Sequence, residues 1–357
     1  MFNRSNDKLE SVPFNTLEEG TLIMEDVYSF DSRQLLVRSG TLLDAETLTR
    51  LKRRNQGHDY VYVSGNTYKT LMAKEAETRR ITLENETGYA ELTTETVSAL
   101  KEISTTQTVE RETMIDMSEE LSNKLETTRT DTVLSLINAL APVDEYLQRH
   151  CINTGMLNGL MGKWLGMNKS AVDKLVLIGL LHDCGKALIP ASILSAPRKL
   201  THSEYTIIKT HTIKSYELLV DFPEFIRLAA RGHHEKVDGT GYPDKLKGEQ
   251  IPLEARITAV ADIYDALVSQ RAYKQPRSPF SVMAIIAELS GTELDSNLVN
   301  LFLRSMPQEI MDKKVMLSNG KTGIVRSFDV QNIEYPTVEI DGKIIATNKN
   351  LYCVSMC

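Results

Sequence analysis

Hydrophobic residues in the first part of the chain occur in short runs that are separated by turn-forming residues. The runs TLIMEDVYSF, QLLVRSGTLL and YVYVSG are rich in β-branched and aromatic residues, a composition that favours strands. Between the second and third runs, LDAETLTRLKRR predicts a helix with Asp44 as its N-cap and with Leu48 and Leu51 on one face. The pattern predicts a small α/β module at residues 1–66.

The pattern changes over residues 67–140, where Thr and Glu dominate and proline is absent. Met114, Met117, Leu121 and Leu125 are spaced so that they lie on one face of a helix. Two interpretations are open for this segment: a helix for signalling or dimerisation, or a linker helix that packs on its own domain. In both interpretations, residues 67–140 are predicted to form a helical linker.

Apolar residues dominate residues 141–306, and strand-like alternation is largely absent there. Helices are predicted by the segments SAVDKLVLIGLLHDCGKALIP, SEYTIIKTHTIKSYELLVDF and LEARITAVADIYDALVSQRAY. The first segment ends at a Gly and a Pro, which stop helices. This part of the chain should form a nearly all-α domain.

Short strands return in residues 307–357, in the segments KKVMLSNGKTGIVRSF, YPTVEIDGKIIATN and LYCVSM. The NG and DG pairs are strong hairpin signals, so a small β segment is predicted after the helical domain. The chain as a whole is therefore predicted to be mainly α.

The composition is that of an ordinary globular protein, with 41% hydrophobic and 25% charged residues. The net charge of −7 argues against a nucleic-acid partner, because that binding draws its affinity from a dense basic surface. The four cysteines form no C-x-x-C pair, which indicates free thiols in a reducing compartment. Neither an apolar signal core nor a run of about 18 apolar residues is present, so we expect a cytoplasmic protein without a membrane span.

Histidines cluster in the central region, which contains six of the seven, and all of these except His202 are candidate ligands. They are His150, His182, His211, His233 and His234. Imidazole and carboxylate are the usual ligands of zinc, iron and manganese, and a carboxylate can bridge two ions. Asp183, next to His182 in an apolar segment, would be costly to bury without compensation, which metal binding provides. Asp183 is therefore the natural bridging candidate, with Asp262 and Asp265 on a later helix.

One alternative for these histidines is a metalloprotease helix, since HEKVD begins like H-E-x-x-H. That motif needs its two histidines four residues apart on one helical face. Position 238 is Asp, and GTGYP follows directly and should stop a helix. The protease interpretation is rejected.

A longer motif contains these residues. HDCGK at 182–186, HHEKVDGTGYP at 233–243 and GEQIPLEARITAVADIYDALVSQRAYK at 248–274 together resemble the HD-GYP family, a branch of the HD phosphohydrolase superfamily. The resemblance implies an HD-type helical bundle for residues 141–306. It also implies a metal-dependent phosphodiesterase that hydrolyses cyclic di-GMP, a bacterial second messenger, to linear pGpG, with GMP as a further product left open.

The resemblance further implies a site with two divalent transition metals, iron first, with manganese or zinc as alternatives. One ion would be held by His150, His182, Asp183 and Asp262, and Asp183 would bridge to a second ion held by His211, His233 and His234. Of the remaining residues, Lys186 would act in catalysis and bind the scissile phosphate, Arg271 and Lys274 would bind phosphate, and Tyr242 would border the site. Asp265 would be a substrate contact or a support behind a metal ligand.

The sequence departs from the family pattern at two positions near the first ligand. Tyr146 stands where some members have a Glu that binds a third metal, so we expect two metals. Asn153 replaces a common Arg. These changes concern the level of activity and the detail of the loops.

Other functions and partners stay open at this point. The chain could be a catalytically silent receptor for a cyclic dinucleotide, or a phosphodiesterase for another one, such as cyclic GMP-AMP. The resemblance also leaves room for a diguanylate cyclase or another signalling protein that binds the GYP loop, and for a homodimer.

Overall fold

The computed structural model describes residues 9–28, 35–54, 60–65, 101–128, 146–194, 198–269, 277–329 and 332–356, with isolated positions at 91–99, 130–137 and 196. The contacts of the chain divide it into two compact units, Met1–Asn85 and Glu86–Cys357.

The first unit is a small α/β module, as predicted. Its elements are β1 (Leu9–Pro13), β2 (Val27–Tyr28), β3 (Leu35–Val37), α1 (Ala45–Arg54) and β4 (Tyr60–Ser64). Strand β1 pairs antiparallel with β4, and β2 pairs antiparallel with β3. The side chain of Asp44 accepts a hydrogen bond of 2.7 Å from the backbone N–H of Thr47, so it caps α1 as predicted. Strand β1 lies outside the predicted runs.

The second unit is dominated by helices. They are α2 (Arg111–Thr127), α3 (Tyr146–Trp164), α4 (Lys169–Leu181), α5 (Ala191–Leu194), α6 (His202–Lys209), α7 (His211–Leu218), α8 (Glu224–Gly232), α9 (Leu253–Val268), α10 (Pro279–Glu288) and α11 (Ser296–Ile310). No helix in the described ranges is both long and apolar enough to cross a membrane. The predicted mainly α fold is confirmed.

Helix α2 is built into the helical unit. Its stripe of Met114, Met117, Leu121 and Leu125 is buried in the same core as α3 and α4. Of the two interpretations that the sequence left open, the structure therefore favours a helix that packs on its own domain. The predicted division into residues 1–66, 67–140, 141–306 and 307–357 stays a prediction.

Helices α3 and α4 cross very closely. A Cβ added to Gly179 would lie 2.5 Å from the Cα of Gly155, which is far too short for packed carbon atoms. This glycine contact brings the first half of α3 against the end of α4. As a result, the rings of His150 and His182 lie with their centres 5.2 Å apart.

Two predicted helices end or break earlier than the sequence suggested. Helix α4 ends at Leu181, and a 3-10 turn at Cys184–Leu188 follows, so His182 and Asp183 lie at a helix end. The 203–222 segment forms two helices, α6 and α7, which are separated at Thr210. The breaks matter because His182 and His211 both lie at them.

The C-terminal residues form one antiparallel five-stranded sheet in the order β8-β7-β6-β5-β9. The strands are β5 (Lys314–Leu317), β6 (Thr322–Ser327), β7 (Thr337–Ile340), β8 (Lys343–Ala346) and β9 (Cys353–Met356). The predicted hairpin turns are present, with Gly320 and both Asp341 and Gly342 at positive φ. The buried face of the sheet shares the hydrophobic core of the helices, with Phe328 stacked on Phe280.

Candidate metal centre

Seven side chains from five separate places in the chain converge in the helical unit. They are His150 on α3, His182 and Asp183 after α4, His211 at the start of α7, His233 and His234 after α8, and Asp262 on α9. All are buried except His234, which is about a quarter exposed. The five imidazoles and two carboxylates that were predicted from the sequence are therefore brought together.

Three of the histidines are oriented by the same type of hydrogen bond to the local backbone. The Nδ1 atoms of His182, His211 and His233 lie 2.6–2.8 Å from the backbone carbonyl oxygens three residues earlier. Each of these carbonyls belongs to the last turn of a helix, where the carbonyls have no partner within the helix. Because a carbonyl oxygen only accepts hydrogen bonds, each Nδ1 carries the proton and donates it.

In the neutral imidazole, which is the form that binds metals, this arrangement places the lone pair on Nε2, and the three Nε2 atoms face one carboxylate. Nε2 of His211 lies 3.2 Å from Oδ1 of Asp183, and Nε2 of His233 lies 3.7 Å from the same oxygen. The two Nε2 atoms are 3.5 Å apart. Nitrogen lone pairs and a carboxylate so close together repel one another, which makes the space between them suited to a cation.

Unsatisfied buried atoms support the same conclusion. Nε2 of His182 and Oδ1 of Asp183 are buried and have no hydrogen-bond partner in the part of the chain that the structure describes. Buried polar atoms normally have partners, because desolvating them without compensation is costly. A divalent ion would satisfy both atoms at once.

Asp183 lies at the middle of the cluster and belongs to both of its halves. One group that could hold an ion consists of His150, His182 and Asp183, and the other consists of Asp183, His211, His233 and His234. Burial favours the neutral acid, but the Lys186 ammonium, which forms an ion pair with the carboxylate, and the neighbouring histidines hold the pKa of Asp183 well below its ordinary value. Asp183 is therefore an anion shared by two groups of imidazoles.

Asp262 lies near one histidine of each group. Its Oδ1 lies 3.1 Å from Nε2 of His150, and its Oδ2 lies 3.8 Å from Nδ1 of His234. Although burial opposes ionisation, the hydrogen bond with His150 and the nearby histidines keep the pKa of Asp262 well below its ordinary value. Burial likewise lowers the pKa of His233 and His234, so both imidazoles are neutral, which is the form that binds metals.

The position of Asp265 excludes one of its two predicted roles. Its Oδ2 lies 2.7 Å from Nδ1 of His150, while its Oδ1 accepts hydrogen bonds of 2.6 Å from Asn153 and 2.9 Å from Ser269. The side chain has no exposed surface. The prediction of Asp265 as a substrate contact is therefore wrong for this geometry, because a buried carboxylate with both oxygens engaged cannot reach a substrate.

Glu235 forms hydrogen bonds with the backbone of the glycine-rich loop that follows His234. The two carboxylate oxygens of Glu235 accept the backbone N–H groups of Asp244 and Leu246 at 2.6 and 3.1 Å. A Cβ on Gly241 would lie 2.6 Å from the carbonyl oxygen of His234, so this position requires glycine. The loop places the Tyr242 ring 4.9 Å from the His234 ring, and the role of Tyr242 at the border of the site stays a prediction.

The remaining predicted site residues are Lys186, Arg271 and Lys274. Lys186 lies against Asp183, with about a fifth of its side chain exposed. Arg271 and Lys274 lie outside the described residues.

Two cysteines are neighbours of the cluster in the sequence. Cys151 follows His150 and Cys184 follows Asp183, but burial raises the pKa of both thiols to about 12. Because these thiols stay protonated, imidazole nitrogen and carboxylate oxygen are the donors of the centre.

A profile of the family described as HD domain matches residues 108–298, which is more than half of the chain. The chain belongs to the HD domain family. Membership of this family of metal-dependent phosphohydrolases implies binding of divalent metals, and the cluster described above provides suitable ligands. The resemblance of the sequence to the HD-GYP branch is also confirmed.

Two curated relatives of this HD-domain protein are named cyclic di-GMP phosphodiesterases. It is 37% identical over 190 residues to the cyclic di-GMP phosphodiesterase response regulator RpfG of Xanthomonas campestris pv. campestris, covering 52% of this chain and 50% of that protein. It is 30% identical over 269 residues to the cyclic di-GMP phosphodiesterase PA4108 of Pseudomonas aeruginosa, covering 73% of this chain and 64% of that protein. The HD-domain protein thus spans about half to two thirds of the length of these relatives.

A solved structure supports the fold. The HD-domain protein is similar to Bd1817, a HDG"Y"P protein from Bdellovibrio bacteriovorus, with a TM-score of 0.53 and 16% sequence identity. The similarity covers 84% of this chain and 100% of that chain. At this level of identity the comparison shows a shared fold, and it confirms the predicted HD-type helical bundle.

Proposed function

We propose that this HD-domain protein is a metal-dependent phosphodiesterase that hydrolyses cyclic di-GMP to linear pGpG. One observation carries the proposal: Asp183 is shared by two groups of imidazoles whose unprotonated nitrogens face it. Such an arrangement suits two ions on either side of a bridging carboxylate. The names of the relatives, which are cyclic di-GMP phosphodiesterases, identify the substrate for this proposal.

The proposed metal ligands follow the two groups. His150, His182, Asp183 and Asp262 would hold one ion, and His211, His233 and His234 would hold the other, with Asp183 shared between them. Iron is our first expectation, and manganese or zinc are alternatives, because donors limited to imidazole and carboxylate suit all three. When bound, a pair of ions supplies Lewis acidity for both the attacking and the leaving oxygen of a phosphodiester.

The chain's own residues would then bind and orient the substrate. The Lys186 ammonium lies beside Asp183 and is partly exposed, and we propose that it neutralises charge on the phosphate and donates a proton to the leaving oxygen. Tyr242 would border the dinucleotide at the mouth of the site. Arg271 and Lys274 are proposed to bind phosphate on the strength of the sequence motif alone.

A silent receptor is the competing function. A receptor needs only to bind the dinucleotide, and it has no need for a full ligand set around a buried carboxylate. All seven proposed ligands are present here and converge, which favours an enzyme. Whether the substrate is another cyclic dinucleotide depends on how the bases are recognised, and the metal ligands do not determine that.

The test is turnover by the purified protein loaded anaerobically with Fe²⁺ or with Mn²⁺. Cyclic di-GMP, 3′3′-cyclic GMP-AMP and cyclic di-AMP are supplied separately, and linear products are measured by chromatography. We expect cyclic di-GMP to be hydrolysed fastest. Turnover of none of the three, with metal bound, would contradict the proposal, and faster turnover of another dinucleotide would change the substrate.

A pair of matched variants ties the activity to the bridging carboxylate. Asp183→Asn removes the charge that both groups share and is expected to abolish turnover and to lower the bound metal. Asp341→Asn makes the same chemical change at an exposed hairpin turn, where Asn keeps the turn chemistry. Equal activity and metal content in the two variants would remove Asp183 from the proposed centre.

A further inference from the structure

A line of aromatic and cationic side chains leads outward from the candidate metal centre. The His234 ring lies 4.9 Å from the Tyr242 ring, and the Lys209 ammonium lies 5.6 Å from the centre of the Tyr242 ring. The same ammonium lies 4.9 Å from the centre of the Tyr205 ring. Lys209 is thus held between two tyrosines, one of which borders the centre.

Helix α6 provides both of the outer residues. Tyr205 and Lys209 are four residues apart, so they lie on one face of α6. The helix is fixed at its start by a capping box between Thr201 and Glu204. His211, a proposed metal ligand, follows two residues after Lys209, so the face that carries Tyr205 and Lys209 is connected to the centre through the backbone.

The exposure and charge of this pair are those of a ligand-binding surface. Tyr205 is 48% exposed, which is unusual for a large aromatic residue, because these are commonly buried in a core. The Lys209 ammonium has no carboxylate within 4 Å among the described residues. The ammonium of Lys209 therefore lies over the ring of a half-exposed tyrosine, next to a proposed phosphodiester site.

A purine base has the chemistry that fits this surface. Aromatic side chains stack on the π-face of any base, and an ammonium donates hydrogen bonds to base acceptors. Guanine presents the acceptors O6 and N7 on one edge, whereas adenine presents N7 and an amino donor. A lysine on that edge favours guanine.

We infer that Tyr205 and Lys209 form a guanine subsite, in which a base of the substrate stacks on the Tyr205 ring while the flexible Lys209 side chain moves from that ring to the edge of the base and donates a hydrogen bond to it. This inference rests on the proposed function, because it places one base of the dinucleotide while its phosphodiester lies at the metal centre. Tyr205 sets affinity for the base, and Lys209 sets the preference for guanine.

The test is steady-state kinetics of the metal-loaded protein with three changes on this surface. Tyr205→Leu is expected to raise KM for cyclic di-GMP about 5- to 150-fold, the range for loss of one stacking aromatic, with a much smaller effect on kcat. Tyr205→Phe keeps the ring and is expected to restore KM to within about threefold. Lys209→Met is expected to lower the ratio of kcat/KM for cyclic di-GMP to that for cyclic di-AMP at least fivefold.

Two comparisons separate base binding from other effects. Lys174→Met is a matched control, because the Lys174 ammonium also lies over an aromatic ring, at 5.6 Å from Phe225, on helix α4 well before His182. It is expected to leave all of these values unchanged. Bis(p-nitrophenyl) phosphate, a phosphodiester without a purine, is expected to lose much less kcat/KM than cyclic di-GMP in Tyr205→Leu; equal losses would overturn the subsite.

Failure of the subsite can be told apart from failure of the proposed function. If the wild-type protein hydrolyses cyclic di-GMP and the variants match it, the subsite is wrong and the function stands. If the wild-type protein hydrolyses no cyclic dinucleotide, the function is wrong, and the subsite is measured by equilibrium titration of cyclic di-GMP. A dissociation constant raised at least fivefold by Tyr205→Leu then supports the subsite, and an unchanged constant overturns it.

Discussion

Nδ1 of His150 and Oδ2 of Asp265 are 2.7 Å apart in the interior of the helical unit, although 115 residues separate them in the chain. Asp265 accepts from Nδ1, and the opposite ring atom, Nε2 of His150, lies 3.5 Å from Asp183 and 3.1 Å from Asp262. Asp265 therefore supports a ligand from behind.

Replacing Asp265 tests this support. Asp265→Asn can present its amide N–H₂ to Nδ1 of His150, which favours the tautomer with the proton on Nε2. Loss of such an outer partner lowers metal affinity by roughly 10- to 100-fold. The measurement is metal affinity by competition with a chelator, and Ser269→Ala, which removes one of the weaker contacts of Asp265, should have a smaller effect. Unchanged affinity in Asp265→Asn would contradict the role.

The glycine of the HDCGK motif is required by close packing. A Cβ on Gly185 would lie 2.1 Å from the carbonyl oxygen of His211 and 2.5 Å from the backbone nitrogen of Ser215. Since backbone atoms cannot move aside cheaply, Gly185→Ala is expected to lower the free energy of unfolding by about 1–3 kcal/mol, measured by denaturant titration. It should also displace His211 and weaken metal binding.

Gly232 provides the matched control for that change. Like Gly185, it lies within two residues of a proposed ligand, here His233, but a Cβ there would lie 3.4 Å from the Cβ of Ala255, an ordinary contact. Gly232 is the last residue of α8, where alanine is a better helix former than glycine. Gly232→Ala should therefore be neutral or slightly stabilising, and equal losses in both variants would refute the packing argument.

Glu235 fixes the loop that carries Tyr242. Glu235→Ala leaves the backbone N–H groups of Asp244 and Leu246 without their acceptors, at an expected cost of about 1–3 kcal/mol in loop stability. We expect faster amide exchange in residues 240–248 by hydrogen–deuterium exchange. Glu249→Ala, an exposed change in the same loop region, serves as the control. Slow exchange retained in Glu235→Ala would show that other contacts hold the loop.

The buried histidines predict how pH affects the metal-free protein. Burial lowers the folded-state pKa of His233 and His234 below the value of about 6.5 that the unfolded chain retains. The unfolded chain therefore binds more protons just below pH 6.5, and the free energy of unfolding falls as the pH falls through this region. The depressed pKa values of Asp183 and Asp262 act in the same direction but only at about pH 4 and below.

Denaturant titrations of the metal-free protein between about pH 4.5 and 7.5 measure this dependence. His234→Gln is expected to make stability less dependent on pH between 5 and 6.5, because one histidine that resists protonation in the folded state is removed. His202→Gln alters an exposed histidine outside the centre and serves as the control. A pH dependence that is the same in wild type and His234→Gln would contradict the prediction.

The sequence predicted the candidate ligands better than their arrangement. His182 with Asp183, and His233 with His234, are recognisable because polar pairs interrupt apolar or glycine-rich segments. The role of Asp265 could not be settled in the same way, since Asp262 and Asp265 lie one turn apart on one helix. Only the packing of that helix against α3, which depends on residues more than a hundred positions away, decides which carboxylate faces the centre.

Helix ends were the other feature that periodicity could not locate. The apolar spacing continues through His182 and through Thr210, so it predicted longer helices than the structure has. The breaks depend on tertiary contacts, such as the approach of Gly185 to the His211 carbonyl. Likewise, the stripe of α2 was readable from its spacing, but the surface that it covers was not, because a stripe does not identify its partner.

The hydrogen bonds from His182, His211 and His233 to the carbonyls of their own helix ends have a kinetic meaning. Each ring acquires its direction when its helix forms, so the ligand shell is preassembled and an arriving ion needs to lose water but not to reorganise the chain. We therefore expect the rate of ion exchange in this centre to be set by access past Tyr242 and by loss of the ion's bound water. The fold around the centre should not change during exchange.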